Sequence, residues 1–334
     1  MSNIQFIAHV VVLPIVISIG FVNQCVNVLT LLQYPPGGFI YLKASAISDL
    51  LSIIFIIPFV IREAGHTQLK SYPVMWYHAH LELTMPNALM ALSALCIVAM
   101  TIDRYLSVCH PIRFFNSVDN SNNELFILLF IFILSFSIQI PAAIYQREII
   151  YMNETGTYNI AISSEYESAR IFRVYVYLRE FLTKLGPILV ILLLNIFIIH
   201  TLIKMYRNNW RTTMIIREGT QSERIRLSIL LLITSITFIL CNLPASLLHI
   251  FVHNSTNDSV LWQTFRAAAN VSETSAYFFN FYLYSFCSSE YRQALFRVIH
   301  CQSSRSGIDT TSSRKTSPFT RQYQPECPDD QPEI

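Results

Sequence analysis

The chain has 334 residues, of which 53% are hydrophobic and only 13% charged, with a formal net charge of +2. A soluble globular domain carries about a quarter charged residues, so a water-soluble fold is excluded. The small charge averages two faces of opposite character and points to no nucleic-acid partner; with no Gly-rich phosphate loop or metal-ligand cluster, there is no case for an enzyme.

Long apolar blocks recur at Phe6 to Leu32, Phe39 to Ile61, His78 to Cys109, Leu125 to Ala143, Ile171 to Tyr206, Leu227 to Val252 and Trp262 to Cys287. A helix crosses the hydrocarbon with roughly 20 mainly apolar residues. Backbone groups in lipid must bond within their own segment, which favours helices over open sheets. The expected fold is therefore all-α, a seven-transmembrane helix bundle over residues 6–287. A short outer amino terminus (1–5) precedes it. An amphipathic eighth helix (288–301) and a disordered inner tail (302–334) follow.

The first Lys, Arg, Asp or Glu is Lys43. No basic region precedes the first apolar block and no small-residue cleavage site ends it, so residues 4–32 read as a retained first span. With the amino terminus outside, the inner segments hold fifteen of the 23 Lys and Arg, as the positive-inside bias requires. The same topology puts the sequons at Asn153, Asn254 and Asn257 outside, where glycosylation occurs.

Polar residues interrupt the spans at few places. Asn27 lies in the first. In the second, Asp49 is the only ionisable residue between Ala44 and Ile61, at a depth where a carboxylate costs about 3 kcal/mol unless paired or protonated. The third is charge-free from Leu83 to Ile102 and ends in Asp103-Arg104-Tyr105, an ion pair at the water edge that reads either as a helix-end pair or as a switch. Pro187 in the fifth and Pro244 in the sixth remove backbone donors and set kinks. The seventh ends in Asn280-Phe-Tyr-Leu-Tyr284.

Asn27, Ala46-Ile-Ser-Asp49-Leu, Asp103-Arg104-Tyr105 with Cys109-His110-Pro111, Pro187, Cys241-Asn-Leu-Pro244, Asn280-Phe-Tyr-Leu-Tyr284 and Tyr291-Arg292 arrive in one order. In this the chain resembles the rhodopsin-like family of G-protein-coupled receptors, over about residues 15 to 300. Within it, the Cys-Asn-Leu-Pro and Asn-Phe-Tyr-Leu-Tyr-Ser-Phe-Cys-Ser-Ser-Glu-Tyr-Arg segments look most like invertebrate FMRFamide and myosuppressin receptors and nematode serpentine receptors of the w class.

The resemblance implies that Asp103, Arg104, Tyr105, Pro244, Asn280 and Tyr284 form the switch that meets a heterotrimeric G protein. It also implies a mid-membrane polar cluster of Asn27, Asp49, Ser93 and Asn280. Such a cluster can hold sodium, although Ala276 and Tyr277 stand where further oxygens are common. No other cofactor is implied.

Departures from the family pattern carry expectations of their own. Ala79 sits where the family has a disulfide cysteine, and residues 145 to 170 contain none, so the second outer loop is ordered in another way or is mobile. All seven cysteines read as free thiols. Asn242 replaces the usual sixth-span Trp, and Phe281 the seventh-span Pro. Arg224 stands where an acid often locks Arg104, which predicts appreciable basal signalling.

Pro86 at the amine-receptor Asp position disfavours a biogenic amine, and Thr274 at the retinal-lysine position excludes an opsin. The candidate ligand contacts at the outer ends are Glu82, Asn87, Glu180, Lys184, His249, Arg266, Asn270 and Glu273. Glu180 and Lys184, one turn apart, are able to satisfy each other. Glu82 and Glu273 have no cation nearby in sequence and are expected to receive an arginine of a short amidated peptide.

Residues 303 to 320 hold ten Ser and Thr, a phosphorylatable stretch that implies arrestin as a partner. Cys301 is a palmitoylation candidate at the end of a helix that rests on membrane lipid. A neuropeptide receptor leads; a chemosensory receptor of the same fold, and more remotely a transporter or channel, stay open.

Overall fold

The structure is a computed structural model that describes residues 7–33, 40–63, 70–110, 121–153, 156–164, 169–209, 218–251, 260–287 and 289–300. The expected bundle is the fold observed. Span one is α1 (Leu13–Leu32), entered through a π turn at Ile7–Val12; span two is α2 (Ile40–Glu63). A short helix, α3 (Tyr72–His80), precedes span three, α4 (Thr84–Cys109), and span four is α5 (Ser121–Tyr145). Strands β1 (Arg147–Met152) and β2 (Thr157–Ile162) follow. Span five runs from α6 (Arg170–Glu180) through a π turn (Phe181–Leu185) into α7 (Gly186–Asn209). Spans six and seven are α8 (Glu218–Phe251) and α9 (Val260–Cys287), with α10 (Ser289–Ile299) after them.

Five stretches are long and apolar enough to cross a membrane: Val10–Leu32, Ile40–Arg62, Tyr72–Cys109, Asn123–Tyr145 and Arg170–Lys204. In α8 the apolar part is shorter, Leu232–Leu248. The first half of α9 is diluted by Arg266, Asn270 and Glu273. Apolar side chains turn outward around the bundle, with Phe126 72% and Phe286 77% exposed, as a lipid-facing surface requires rather than a water-facing one.

Two features add to the expected spans. The block from His78 to Cys109 is not one helix: it breaks at Leu81–Leu83, where the amides of Leu81 and Glu82 both donate to Tyr77 O at 2.9 and 3.0 Å. Pro86 falls in the first turn of α4, where its missing N–H costs nothing. The break puts Glu82 in an elbow. Second, the loop after α5 carries an antiparallel hairpin, registered from Arg147 against Ile162 to Met152 against Thr157. Gly156 closes its turn at φ 62°, a conformation glycine adopts without strain.

Span five bends for a local reason. Pro187 lacks the donor its turn needs, and the π turn ahead of it takes up the irregularity. Gly186 is required there: a Cβ would stand 2.8 Å from Phe181 O.

The interior has an apolar cluster at each end of the bundle. Leu13, Ile17, Ile53, Val60 and Tyr277 pack towards the hairpin. Leu31, Leu42, Ala46, Met100, Tyr284 and Tyr291 pack at the other, here the Arg104 end.

Candidate functional site

At the hairpin end, Glu82 is fully buried and surrounded by cations. Arg62 of α2 grips it bidentately, Nε to Oε1 and Nη2 to Oε2, both at 3.0 Å. His78 Nδ1 lies 2.7 Å from Oε1. Arg147 of β1 donates to Oε2 at 3.4 Å and to His78 O at 3.0 Å. Glu82 was expected to receive a ligand guanidinium, but in this arrangement side chains from α2, α3 and β1 occupy its oxygens, and it stands outside the cavity described below. The same contacts answer how the loop is ordered. Without a disulfide, an ion cluster joins α2, α3, the α4 elbow and β1, and Tyr158 N–H adds a bond to Lys70 O at 3.2 Å. The four described cysteines, Cys25, Cys96, Cys109 and Cys241, are free thiols.

On the Glu273 side of the bundle lies a narrow cavity, about 40 Å³ by the volume open to the centres of water-sized spheres. Asn87, Glu180, Lys184 and Glu273 line it; Arg266 and Asn270 do not. The His249 side chain lies outside the described ones. Glu273 is not short of a cation either, since Lys184 Nζ reaches its Oε1 at 2.7 Å. The i,i+4 pair of Lys184 with Glu180 is looser, at 3.8 Å, and Arg179 holds the other Glu180 oxygen at 2.8 Å. Local sequence spacing named the weaker partner.

The cavity floor is Asp49 and Asn280. Asn280 Nδ2 donates to Asp49 Oδ2 at 3.2 Å, and Gln24 Nε2 donates to the same oxygen at 3.1 Å. From there a chain of bonds leaves the cavity: Asn27 Nδ2 to Gln24 Oε1 at 3.0 Å, then Tyr291 hydroxyl to Asn27 Oδ1 at 2.9 Å. Ser93 pairs with Ser45 Oγ at 2.8 Å beside it. Asn27 thus reaches Asp49 only through Gln24, which sequence reasoning missed. Its signal was a second polar residue one turn before Asn27 in an apolar span. Two amide nitrogens and the Ser93 hydroxyl face the carboxylate, so Asp49 is held by hydrogen bonds from spans one, three and seven. Among the described residues no group of three His, Cys, Asp or Glu side chains could hold a metal.

In α8 the Pro244 turn is held by polar contacts. Asn242 Nδ2 donates to Phe238 O at 2.8 Å, and Ser272 of α9 donates to Cys241 O at 3.2 Å. The neighbouring span thus adds a bond one residue beyond Leu240, whose carbonyl is the one Pro244 leaves without its helical donor.

At the Arg104 end, Arg104 Nε is 4.0 Å from Asp103 Oδ2 and is buried without a hydrogen bond. The pair is therefore loose. Tyr105 stacks edge-on against His110 and Phe197, with centroids at 5.7 and 6.2 Å. Tyr284 is buried against Tyr291, ring centroids 5.7 Å apart. The Arg224 side chain lies outside the described ones, as do Asn254, Asn257, Cys301 and the tail. Asn153 is exposed at the hairpin tip.

The 7 transmembrane receptor (rhodopsin family) pattern matches residues 33–288. The chain is 41% identical over 332 residues to "Probable G-protein coupled receptor AH9.1" of Caenorhabditis elegans, covering 94% of this chain and 80% of that protein. It is 28% identical over 316 residues to "Probable G-protein coupled receptor B0563.6" of the same nematode, covering 90% and 71%. With the helical bundle, the ordered motifs and this similarity in agreement, the chain belongs to the rhodopsin family of seven-transmembrane receptors: it is a G-protein-coupled receptor, a multi-pass protein of the plasma membrane and not an enzyme.

Proposed function

We propose that this receptor takes a short amidated peptide into the cavity between spans three, five, six and seven and signals it to a heterotrimeric G protein at the Arg104 end. The hairpin end and amino terminus face outside; the carboxy terminus lies inside. The observation that carries the reading is continuity. One cavity runs from Lys184 and Glu273 down to Asp49 and Asn280, and bonds continue through Gln24 and Asn27 to Tyr291, stacked on Tyr284. An occupant at the mouth thereby bears on side chains packed beside the coupling end.

Asp103, Arg104, Tyr105, Pro244, Asn280 and Tyr284 act as the switch in this reading. The loose Asp103–Arg104 pair supports it, because a weakly held guanidinium is released by a small movement. Glu273, Lys184, Glu180 and Asn87 contact ligand, whereas Glu82 organises the hairpin above it. Membrane lipid receives the exposed Phe296 and Ile299 of α10. Arrestin is recruited by the phosphorylated tail.

The test is a library of amidated peptides applied to cells that report G-protein nucleotide exchange. Activation by a peptide, abolished by Arg104→Gln at equal surface abundance, supports the proposal. Activation only by small volatile or environmental molecules refutes the peptide and favours a chemosensory receptor.

A further inference from the structure

Resting on that reading, we propose that Lys184 is a built-in occupant of the ligand's cation site. The natural ligand brings a donor-rich cation, a guanidinium or primary ammonium, that takes the place of Lys184 at Glu273. Three observations lead there.

The first is the charge inside the cavity. Its described lining holds three carboxylates, Asp49, Glu180 and Glu273, against Lys184, and with Arg179 compensating Glu180 from outside the lining at 2.8 Å the carboxylates outnumber the cations by one. An anionic ligand would add charge of the sign already in excess. A cationic one relieves it.

The second is the geometry of the pair. Lys184 leaves the π turn of span five and crosses to span seven, where Nζ meets Glu273 Oε1 at 2.7 Å. Glu180 Oε2 stands 3.8 Å from the same nitrogen. A short swing therefore carries the ammonium from one carboxylate to the other, and Glu273 passes to the newcomer without being left uncompensated. Stripping a buried carboxylate of its partner is costly, whereas exchanging one cation for another is not.

The third is an acceptor with nothing to accept. Gln139 is 3% exposed and lines this cavity, and its Oε1 has no hydrogen-bond partner. A buried acceptor is normally satisfied. A guanidinium or the amide nitrogens of a peptide supply the donor that an ammonium tethered to Glu273 does not.

The experiment uses purified receptor in nanodiscs and small probes in place of the ligand. Lys184→Ala opens a channel of lysine shape ending at Glu273. n-Butylammonium should raise the unfolding midpoint of this variant by about 2–4 °C at saturation, act on wild type only at much higher concentration because there it must displace the tethered Lys184, and lose its effect when Glu273→Gln is added. Lys184→Met keeps the chain and drops the charge, so it should respond to methylammonium and not to n-butylammonium, which serves if the alanine variant does not fold. No response in either variant, an effect that survives Glu273→Gln, or stabilisation of wild type by butyrate would each overturn the proposal.

A second arm uses cells and two pools of amidated tetrapeptides, one carrying arginine and the other its neutral isostere citrulline. Activation by the arginine pool alone supports the cation site, and equal activation by both overturns it. Silence of both pools beside a positive thermal result refutes the peptide reading while upholding the cation site.

Discussion

Arg147→Met isolates the hairpin's tether. Among the described residues the arginine is the β-strand member of the Glu82 cluster, and its bonds include one to His78 O at 3.0 Å and a longer one to Glu82 at 3.4 Å. Its loss leaves Arg62 and His78 on Glu82, so the carboxylate stays compensated and the bundle should fold. A hydrogen bond to a charged group contributes about 1.5–3 kcal/mol; the side chain is 19% exposed, which moves the expectation to the lower end, about 1–2 kcal/mol. Because 1.4 kcal/mol is tenfold in an equilibrium constant, local opening of the hairpin should become about 5- to 30-fold more frequent. Hydrogen exchange of the 147–162 amides, read by mass spectrometry on receptor in nanodiscs, measures that opening directly. Glu82→Gln should do more, since it strands two arginines and a histidine against a neutral amide, at about 3–5 kcal/mol, and should cut surface abundance. Reducing agent should change nothing. The reasoning fails if hairpin protection in Arg147→Met equals wild type, or if dithiothreitol alone opens the hairpin.

Tyr291→Phe removes one hydroxyl and leaves Asn27 Oδ1 without its donor; a loss of about 1 kcal/mol in thermal stability and a changed basal nucleotide exchange are expected, and neither changing would remove the relay from the account. Gly186→Ala forces a Cβ against Phe181 O at 2.8 Å, so a lower unfolding midpoint is expected on heating, and an unchanged one would show that the π turn gives way easily. Ser272→Ala frees the Cys241 carbonyl beside the Pro244 hinge; basal exchange should rise in a cell assay, and a fall would mean the bond favours the active arrangement. The loose Arg104 pair predicts measurable exchange without agonist, against which a silent receptor at normal surface abundance would count.

The bundle was legible because span length is a property of local composition, and Asp49 and Arg104 were legible because a charge in an apolar run has few reasons to be there. The cations around Glu82 were not legible because they are far away in sequence: Arg62 sits twenty positions upstream and Arg147 on a strand beyond span four. Lys184 found Glu273 across the bundle, although i,i+4 spacing pointed to Glu180. The hairpin has local signals, Ile149-Ile150-Tyr151 and Tyr158-Asn159-Ile160 flanking a turn with Gly156, but strands this short gain their stability from the contacts of Arg147 and Tyr158 with distant segments. Gln24 was passed over although it lies one turn from Asn27. In each case pairing is decided by where helices meet, and that is set by packing rather than by neighbours in the chain.

The most direct test of the account is nucleotide exchange on a purified G protein by Arg104→Gln receptor, compared with wild type at equal, surface-verified amounts, with and without the activating peptide pool. Loss of both basal and evoked exchange, with thermal stability and peptide binding retained, is the expected result. Exchange at the wild-type rate would contradict the claim that this guanidinium delivers the signal.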